Sequence, residues 1–241
     1  MGKSVTRYGL EIIHSCLSCP VRKEGLFCQL GPQALAELNA IHQTSVCTKG
    51  TVLFIQGQPA PGLFVLCSGR AKLTATSTGR RSLIVRVAAP GEVLGLSAVM
   101  SNAAYEVSAE TLELTQVNYI PREDFLRFLQ SHGEVSVRVA EHLSMELRRA
   151  YDQVARIALA PTARAKLAGL FLEWAAHDTQ PDEEGVRFQL RLTHEEIGEL
   201  IGSSRETIGR LLKDFRRKGL IQTKGTFVTI SDPRGLEALL S

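Results

Sequence analysis

The sequence predicts an α+β chain: an antiparallel β-roll, then a long helix, then a small helical domain that ends in a hairpin. Three observations carry this. Residues 49–120 read as short β-type runs cut by glycines, "TVLFIQG", "GLFVLCSG", "RAKLTATS", "SLIVRVAAPG", "YEVSAETL" and "ELTQVNYI", the texture of closely spaced strands and turns. Over 121–159 a helical period replaces it, with one weak point at Gly133. Beyond Pro161, short helices with their own start signals precede "LIQTKGTFVTI", a hairpin with Lys224-Gly225 at its tip.

Composition sets the outer bounds. A chain of 241 residues has room for two modest domains, and 44% hydrophobic with 22% charged residues is ordinary for a folded protein. No apolar run reaches the roughly 18 residues a bilayer span needs. The start "MGKSVTRYGLEIIHSC" lacks a signal-peptide core, and five cysteines is an odd number. A reducing cytoplasm, with no membrane partner, is the expected location.

Taken in order, Gly31 precedes an amphipathic helix over Pro32–Ile41, with apolar residues at 35, 38 and 41. In the long helix Leu143, Leu147, Ala150, Val154 and Ile157 are spaced 4, 3, 4, 3, the seam of a two-stranded coiled coil, so a homodimer is expected through these residues. Pro161 stops that helix and Thr162 caps the next, which reaches about 176. The acidic loop "HDTQPDEEG" leads to the strand "VRFQLRL". Two capping boxes follow, Thr193 with Glu196 and Ser203 with Glu206. They open helices over about 195–201 and 205–218, joined at Gly202, which is a helix-turn-helix with the hairpin as a wing. The expected divisions are a cysteine-containing segment and helix over 1–47, a β-roll sensor over 48–121, a dimerisation helix over 122–160 and a winged DNA-binding domain over 161–241.

Charge distribution, rather than the weak net charge of +3, points to a partner. Arg205, Arg210, Lys213, Arg216, Arg217, Lys218 and Lys224 fall within 202–224, against only Glu206 and Asp214. The start of the second helix enters the major groove. There Arg205 and Arg210 can bond guanine, Glu206 can accept from cytosine, and Lys213, Arg216, Arg217 and Lys224 suit phosphates. Thr193, Ser203, Ser204 and Thr207, at the two helix starts, complete the expected DNA-binding set. An enzyme fits poorly, since no Ser-His-Asp order, phosphate loop or His-Glu-x-x-His is present and the histidines are scattered. A sensor that acts on a protein partner without DNA is the other class, and it predicts no salt-dependent duplex affinity.

The stretch "HSCLSCPVRKEGLFC" places Cys16, Cys19 and Cys28 within thirteen residues. Cys16-x-x-Cys19 lets one turn present two thiolates, and Cys28 returns after eight residues. A closed four-ligand site needs one more donor, for which Cys47 is the expected residue, with His14 behind it. Cys67, alternating with Leu63 and Val65, is expected to be core. An iron-sulfur cluster, a zinc ion, a thiol-disulfide switch and no function at all stay open on spacing alone.

"LTHEEIGELIGSSRETIGRLLKDFRRKGLI" resembles the helix-turn-helix of the cyclic AMP receptor protein and fumarate-nitrate reduction regulator (Crp/Fnr) family, with "SRETIGR" its most specific part. "KGTVLFIQGQPAPGLFVLCSGRAKL" resembles that family's cyclic-nucleotide-binding-like roll. The resemblance implies a homodimeric transcription regulator that reads a palindrome and works with RNA polymerase. Arg205, Glu206 and Arg210 match the base-reading residues of the cyclic AMP branch, which implies TGTGA-like half-sites. The positions matching that branch's ribose and phosphate partners are Gly95-Leu96 and Tyr105-Glu106. A carboxylate there repels a cyclic phosphate, so cyclic AMP is not expected to bind. "VLGLSAVMSN" is similar to the oxygen-sensing branch, whose iron-sulfur cluster uses three N-terminal cysteines and one in the roll; that roll position is Asn118 here.

Overall fold

The computed structural model describes residues 13, 15–19, 25–79, 82–159, 162–177, 180–182, 185–190 and 192–240. The chain divides into two compact units, Met1–Leu147 and Arg148–Ser241. The division falls inside a long helix.

In the first unit a 3-10 turn over Cys16–Ser18 precedes α1 (Pro32–Ile41), which starts with Pro32 in its first turn, where a missing N–H costs nothing. Ala34, Leu35 and Leu38 form its buried side. The roll consists of β1 (Gln43–Cys47), β2 (Val52–Phe54), β3 (Gly62–Ser68), β4 (Ala71–Thr76), β5 (Ser82–Ala88), β6 (Val93–Leu94), β7 (Ser108–Thr111) and β8 (Thr115–Pro121), with the short helix α2 (Leu96–Ser101) between β6 and β7. The strands form two antiparallel sheets, ordered β1-β8-β3-β6 and β2-β7-β4-β5. Leu63, Leu66, Val117 and Ile120 fill the core with Leu35 of α1. The edge-to-face ring pair Phe27–Phe125 joins them, its centroids 5.6 Å apart.

Two differences from the sequence-based expectation concern this unit. Gln43–Cys47, assigned to a segment before the roll, is its outer strand, with Thr44 opposite Asn118 and Cys47 opposite Thr115. As an edge strand whose first three residues are exposed, it carries no alternating pattern to announce it. The segment after Gly95 forms α2, too short to show a period of its own.

The helical stretch breaks at His132, whose backbone leaves the helical region, giving α3 (Arg122–Ser131) and α4 (Gly133–Leu159). The second unit continues with α5 (Ala163–His177), β9 (Gln180–Asp182), β10 (Gly185–Gln189), α6 (His194–Ile201), α7 (Arg205–Arg217), β11 (Ile221–Lys224), β12 (Phe227–Ile230) and α8 (Pro233–Glu237). Thr162 Oγ1 accepts from the Ala165 N–H at 3.1 Å, the cap expected for α5. The acidic loop is partly strand: β9 pairs with β10 in a sheet ordered β11-β12-β10-β9. Phe171 is central, with Phe188 at 5.5 Å and Phe215 at 6.4 Å, both edge-to-face.

Candidate nucleic-acid interface and thiol cavity

The turn between α6 and α7 is fixed by a small set of backbone devices. Thr193 and Glu196 form the capping box expected at the start of α6. Gly202 closes that helix in the left-handed region at φ 67°, where a side chain would be strained. Gly198 has a different role: a Cβ there would meet the Ser203 carbonyl oxygen at 2.6 Å, so only glycine lets the turn close. The second cap is one residue later than expected. Ser204, not Ser203, accepts from the Thr207 N–H at 3.2 Å, because α7 begins at Arg205 and its third residue is Thr207.

Helix α7 buries Ile208, Leu211, Leu212 and Phe215 and leaves Arg205, Glu206, Arg210, Lys213, Arg216 and Arg217 exposed. Residues 206, 210, 213 and 217 follow the helical period, so acid and bases share one solvent face held by an apolar one behind it. The Glu206 carboxyl is held below its usual value by a hydrogen bond from its own backbone and by Ser204. It is therefore an acceptor at neutral pH, as contact with cytosine requires. Asp214 is the internal counterweight, with Arg217 at 2.8 Å, Lys218 at 3.1 Å and Arg164 at 3.4 Å. Arg164, at the start of α5, joins Arg210, Lys213 and Arg217 around one open hollow. Sequence reasoning missed it because it lies about forty residues before the basic run. Arg216 donates to Thr223 Oγ1 at 3.3 Å, tying α7 to the wing. Lys224 is exposed where β11 reaches the hairpin turn, beside Gly225 at φ 61°.

The five seam residues of α4 divide. Leu143 is half-buried and packs on the roll's core. Leu147 and Val154 are 56% and 65% exposed, and Ala150 is exposed as well. The Ile157 side chain lies outside the described residues. Tyr151, 66% exposed, extends the same uncovered stripe. An isolated helix that turns Leu147, Tyr151 and Val154 to solvent leaves apolar surface that a second helix can cover.

In the roll, Gly95 and Tyr105, expected from the resemblance at the nucleotide positions, are packed against each other. Tyr105 is 3% exposed, stacks on Phe54 with centroids 4.1 Å apart, and donates its hydroxyl to the Gly62 carbonyl. Burial, and then neighbouring Tyr119, push its phenol up to about 12. A Cβ on Gly95 would meet the Tyr105 ring at 2.6 Å, so ring and glycine backbone are already in contact. Glu106 is exposed. No described arginine stands in for the phosphate partner at these two positions.

The cysteines are arranged otherwise than the sequence suggested. Cys16, Cys19, Cys28 and Cys67 line one cavity, together with the apolar Ile13, Phe27, Leu38, Val65, Leu66 and Ile120 and the polar His42 and Asn118. Cys47 is absent from that lining and lies on β1, three residues beyond Thr44, the partner of Asn118. Three residues of strand span about 10 Å. His14 lies outside the described residues. Cys67 is buried, as expected of a core residue, but the core it faces is the wall of this cavity. Burial first, and then the neighbouring thiols Cys16, Cys19 and Cys28, push the Cys67 thiol far above the ordinary range; burial and then Cys19 raise Cys16. The His42 ring is held neutral by burial, while its Nδ1 bonds the Leu38 carbonyl at 3.2 Å. Among the described residues no three His, Cys, Asp or Glu converge as ligands on a single point. The thiols surround a space instead.

The segment bearing Cys16 and Cys19 is fastened at both ends of its turn. The Gln116 carboxamide of β8 accepts from the Ile13 N–H at 2.8 Å and donates to the Ile13 carbonyl at 2.7 Å. The Cys16 N–H donates to Asn39 of α1 at 3.2 Å. Cys28 closes a turn on the Gly25 carbonyl at 3.1 Å.

Comparison with known proteins bears on both halves. Residues 45–132 match the cyclic nucleotide-binding domain and residues 165–239 the Crp-like helix-turn-helix domain. The transcriptional activator protein anr of Pseudomonas aeruginosa is 31% identical over 192 residues, 79% of this chain and 78% of that protein. The CRP-like cAMP-activated global transcriptional regulator of Mycobacterium tuberculosis is 26% identical over 214 residues, 89% of this chain and 95% of that protein. A CRP-family transcriptional regulator from Thermus thermophilus has a solved structure 26% identical to this chain, covering 81% of it and 96% of that chain, with a TM-score of 0.68. These relatives are regulators and not enzymes. Among the described residues no helix is long and apolar enough to cross a membrane. With a β-roll in its first unit and a capped, basic helix in its second, the chain belongs to the Crp/Fnr family of DNA-binding transcription regulators.

Proposed function

We propose that this regulator is a cytoplasmic homodimer, joined through α4, that reads an inverted repeat with TGTGA-like half-sites about one helical turn apart and works with RNA polymerase. The observation that carries the DNA reading is the exposed face of α7, where Arg205, Glu206 and Arg210 precede Lys213 and Arg217 on a helix capped by Ser204. Arg205 and Arg210 supply bidentate donors for guanine, and Glu206 an acceptor for cytosine. Arg164, Lys213, Arg216 and Lys224 take the phosphates. Thr193, Ser203 and Thr207 stand at the helix starts, where backbone N–H groups also favour anions. Replacing Arg205 with Ala should cost about 1 to 3 kcal/mol on the cognate repeat and relax one base preference. An unchanged ratio of affinity between that repeat and random duplex would exclude Arg205 from base reading.

We further propose that the signal is redox or oxygen, received by an iron-sulfur cluster held by the N-terminal cysteines, and that cyclic AMP is not the ligand. The supporting observation is the set of thiols standing round one apolar cavity. Thiolate is the soft donor that iron-sulfur clusters require. One zinc ion, with bonds of about 2.3 Å, would need its sulfurs roughly 3.8 Å apart. The group supplies an electron-exchanging centre; the chain supplies the rest. Ile13, Phe27, Leu38 and Ile120 exclude water, and Gln116 and Asn39 hold the cysteine segment against the roll. Against cyclic AMP stands Tyr105, whose ring occupies the matching site and whose neighbour Glu106 repels phosphate. Protein purified without oxygen should be brown and bleach in air. Stoichiometric zinc in a colourless protein would replace this reading with a zinc site, and micromolar cyclic AMP in a calorimeter would restore the nucleotide.

A further inference from the structure

The sequence leaves the fourth donor of the cysteine set to Cys47, but the fold offers a different residue. On β3, Leu66 pairs with Val117 and Ser68 with Gln116, so Cys67 is the extra residue of a β-bulge. A bulge interrupts the alternation of a strand and re-aims a side chain. Val65, Leu66 and Cys67, three consecutive residues, all reach the same cavity, which an unbroken strand cannot do because its side chains alternate between faces. Val65 and Cys67 share the cavity face by the strand's own alternation, and the bulge adds Leu66 to the same lining.

The three other thiols reach that cavity from one side. Cys16 and Cys19 come from the turn held by Gln116 and Asn39, and Cys28 from the turn closed on Gly25. Cys67 faces them from the sheet. Asn118, on the neighbouring strand β8, lines the same space but accepts a hydrogen bond from Thr44 Oγ1 at 2.9 Å through its side-chain oxygen. Cys47 belongs to β1, outside the lining.

Resting on the iron-sulfur reading above, we propose that Cys67 of β3, which lines the same cavity as the other three thiols, is the fourth cluster ligand alongside Cys16, Cys19 and Cys28, and that Cys47 is not a ligand. Three donors then arrive on the N-terminal segment and one on the roll, so the cluster bridges the two. Four thiols give up their protons as the metal binds, and the bound thiolates fasten the segment to the sheet more strongly than the Gln116 bonds alone.

The test uses the full chain with equal amounts of ferrous and ferric iron and with sulfide added under nitrogen, reading iron, acid-labile sulfide and the visible spectrum per chain. Wild type and Cys47→Ala should bind equally. Cys19→Ala and Cys67→Ala should each lose at least tenfold of the bound iron and sulfide. The double variant Cys67→Ala with Asn118→Cys, which returns a thiol to the same cavity from the next strand, should regain most of it, showing that the single variant lost a donor and kept its fold. Wild-type loading in Cys67→Ala overturns this assignment, whether or not Cys47→Ala also loads, and leaves the cluster reading standing. Failure of the wild type to take up iron and sulfide overturns the cluster reading and this assignment with it.

Discussion

In the winged unit, Ser204, Arg205, Glu206, Arg210 and Lys213 come from ten consecutive residues of one helix start, whereas the thiol cavity of the roll draws its walls from Ile13, Cys28, Cys67 and Ile120, four separate parts of the chain. The two sites therefore fail differently. On α7 the side chains that face outward are not the ones that hold the helix down, since Ile208, Leu211, Leu212 and Phe215 do that from behind. An exposed arginine can be removed at the cost of its own contact. In the roll the cavity wall is also the hydrophobic core, so a change there alters chemistry and packing together. The outward side chains of α7 can therefore change without refolding the unit, whereas the cavity can change only by repacking the roll's interior.

The comparison can be broken at several points. The largest effect should come from Leu147→Arg, which puts charge on the exposed stripe of α4. It should give monomers by sedimentation and lower operator affinity by about a hundredfold or more, the loss expected when two linked half-site contacts become independent. A variant that stays dimeric would move the interface off this stripe. Next is Phe215→Ala, which removes a fully buried ring behind the reading face. It should take about 3 to 5 kcal/mol from the winged unit's unfolding transition. If the roll's transition, followed separately, falls equally, the two units are not independent in stability.

The smallest effect is acid-dependent and tests the counterweight on α7. Lys218, followed by Arg217 and Arg164, holds the Asp214 carboxyl below its ordinary 3.8. A carboxyl with a depressed folded pKa binds fewer protons folded than unfolded, so its contribution is complete above 3.8 and is lost as the pH falls through the lower folded value. Asp214→Asn should therefore lower stability at neutral pH and converge on wild type in acid. A difference that persists at the lowest pH would mean the residue acts through packing.

How much of this was legible in the sequence follows from the same division. The helix-turn-helix could be read because the caps and the turn glycine are local signals within thirty residues, and the second cap, Ser203 for Ser204, was a slip of one along a run of two serines. The roll's strands announced themselves through glycines, but β1 did not, because an exposed edge strand has no buried face to pattern. Cys67 was placed correctly in the core, but alternation along one strand could not show that the core there is the wall of a cavity shared with Cys16, Cys19 and Cys28. Arg164 was missed because its neighbours in space come from another helix. Leu143 belongs to the apolar repeat of α4 by spacing, yet the roll's core takes it up, which no period along one helix reveals.

Gln116 carries a consequence of its own. Its carboxamide oxygen accepts from the Ile13 N–H and its nitrogen donates to the Ile13 carbonyl, just as a paired peptide unit would. The side chain is thus a single rung of ladder, the smallest piece of sheet that can be made, and with the Asn39 bond to Cys16 it fastens the cysteine-bearing segment. Two hydrogen bonds are together worth about 1 to 3 kcal/mol, a latch that thermal motion opens often. Gln116→Glu, a change of one atom, would remove the donor and set a buried negative charge against the Ile13 carbonyl. So slight a fastening makes the segment's attachment a matter of degree, set by whatever else binds it.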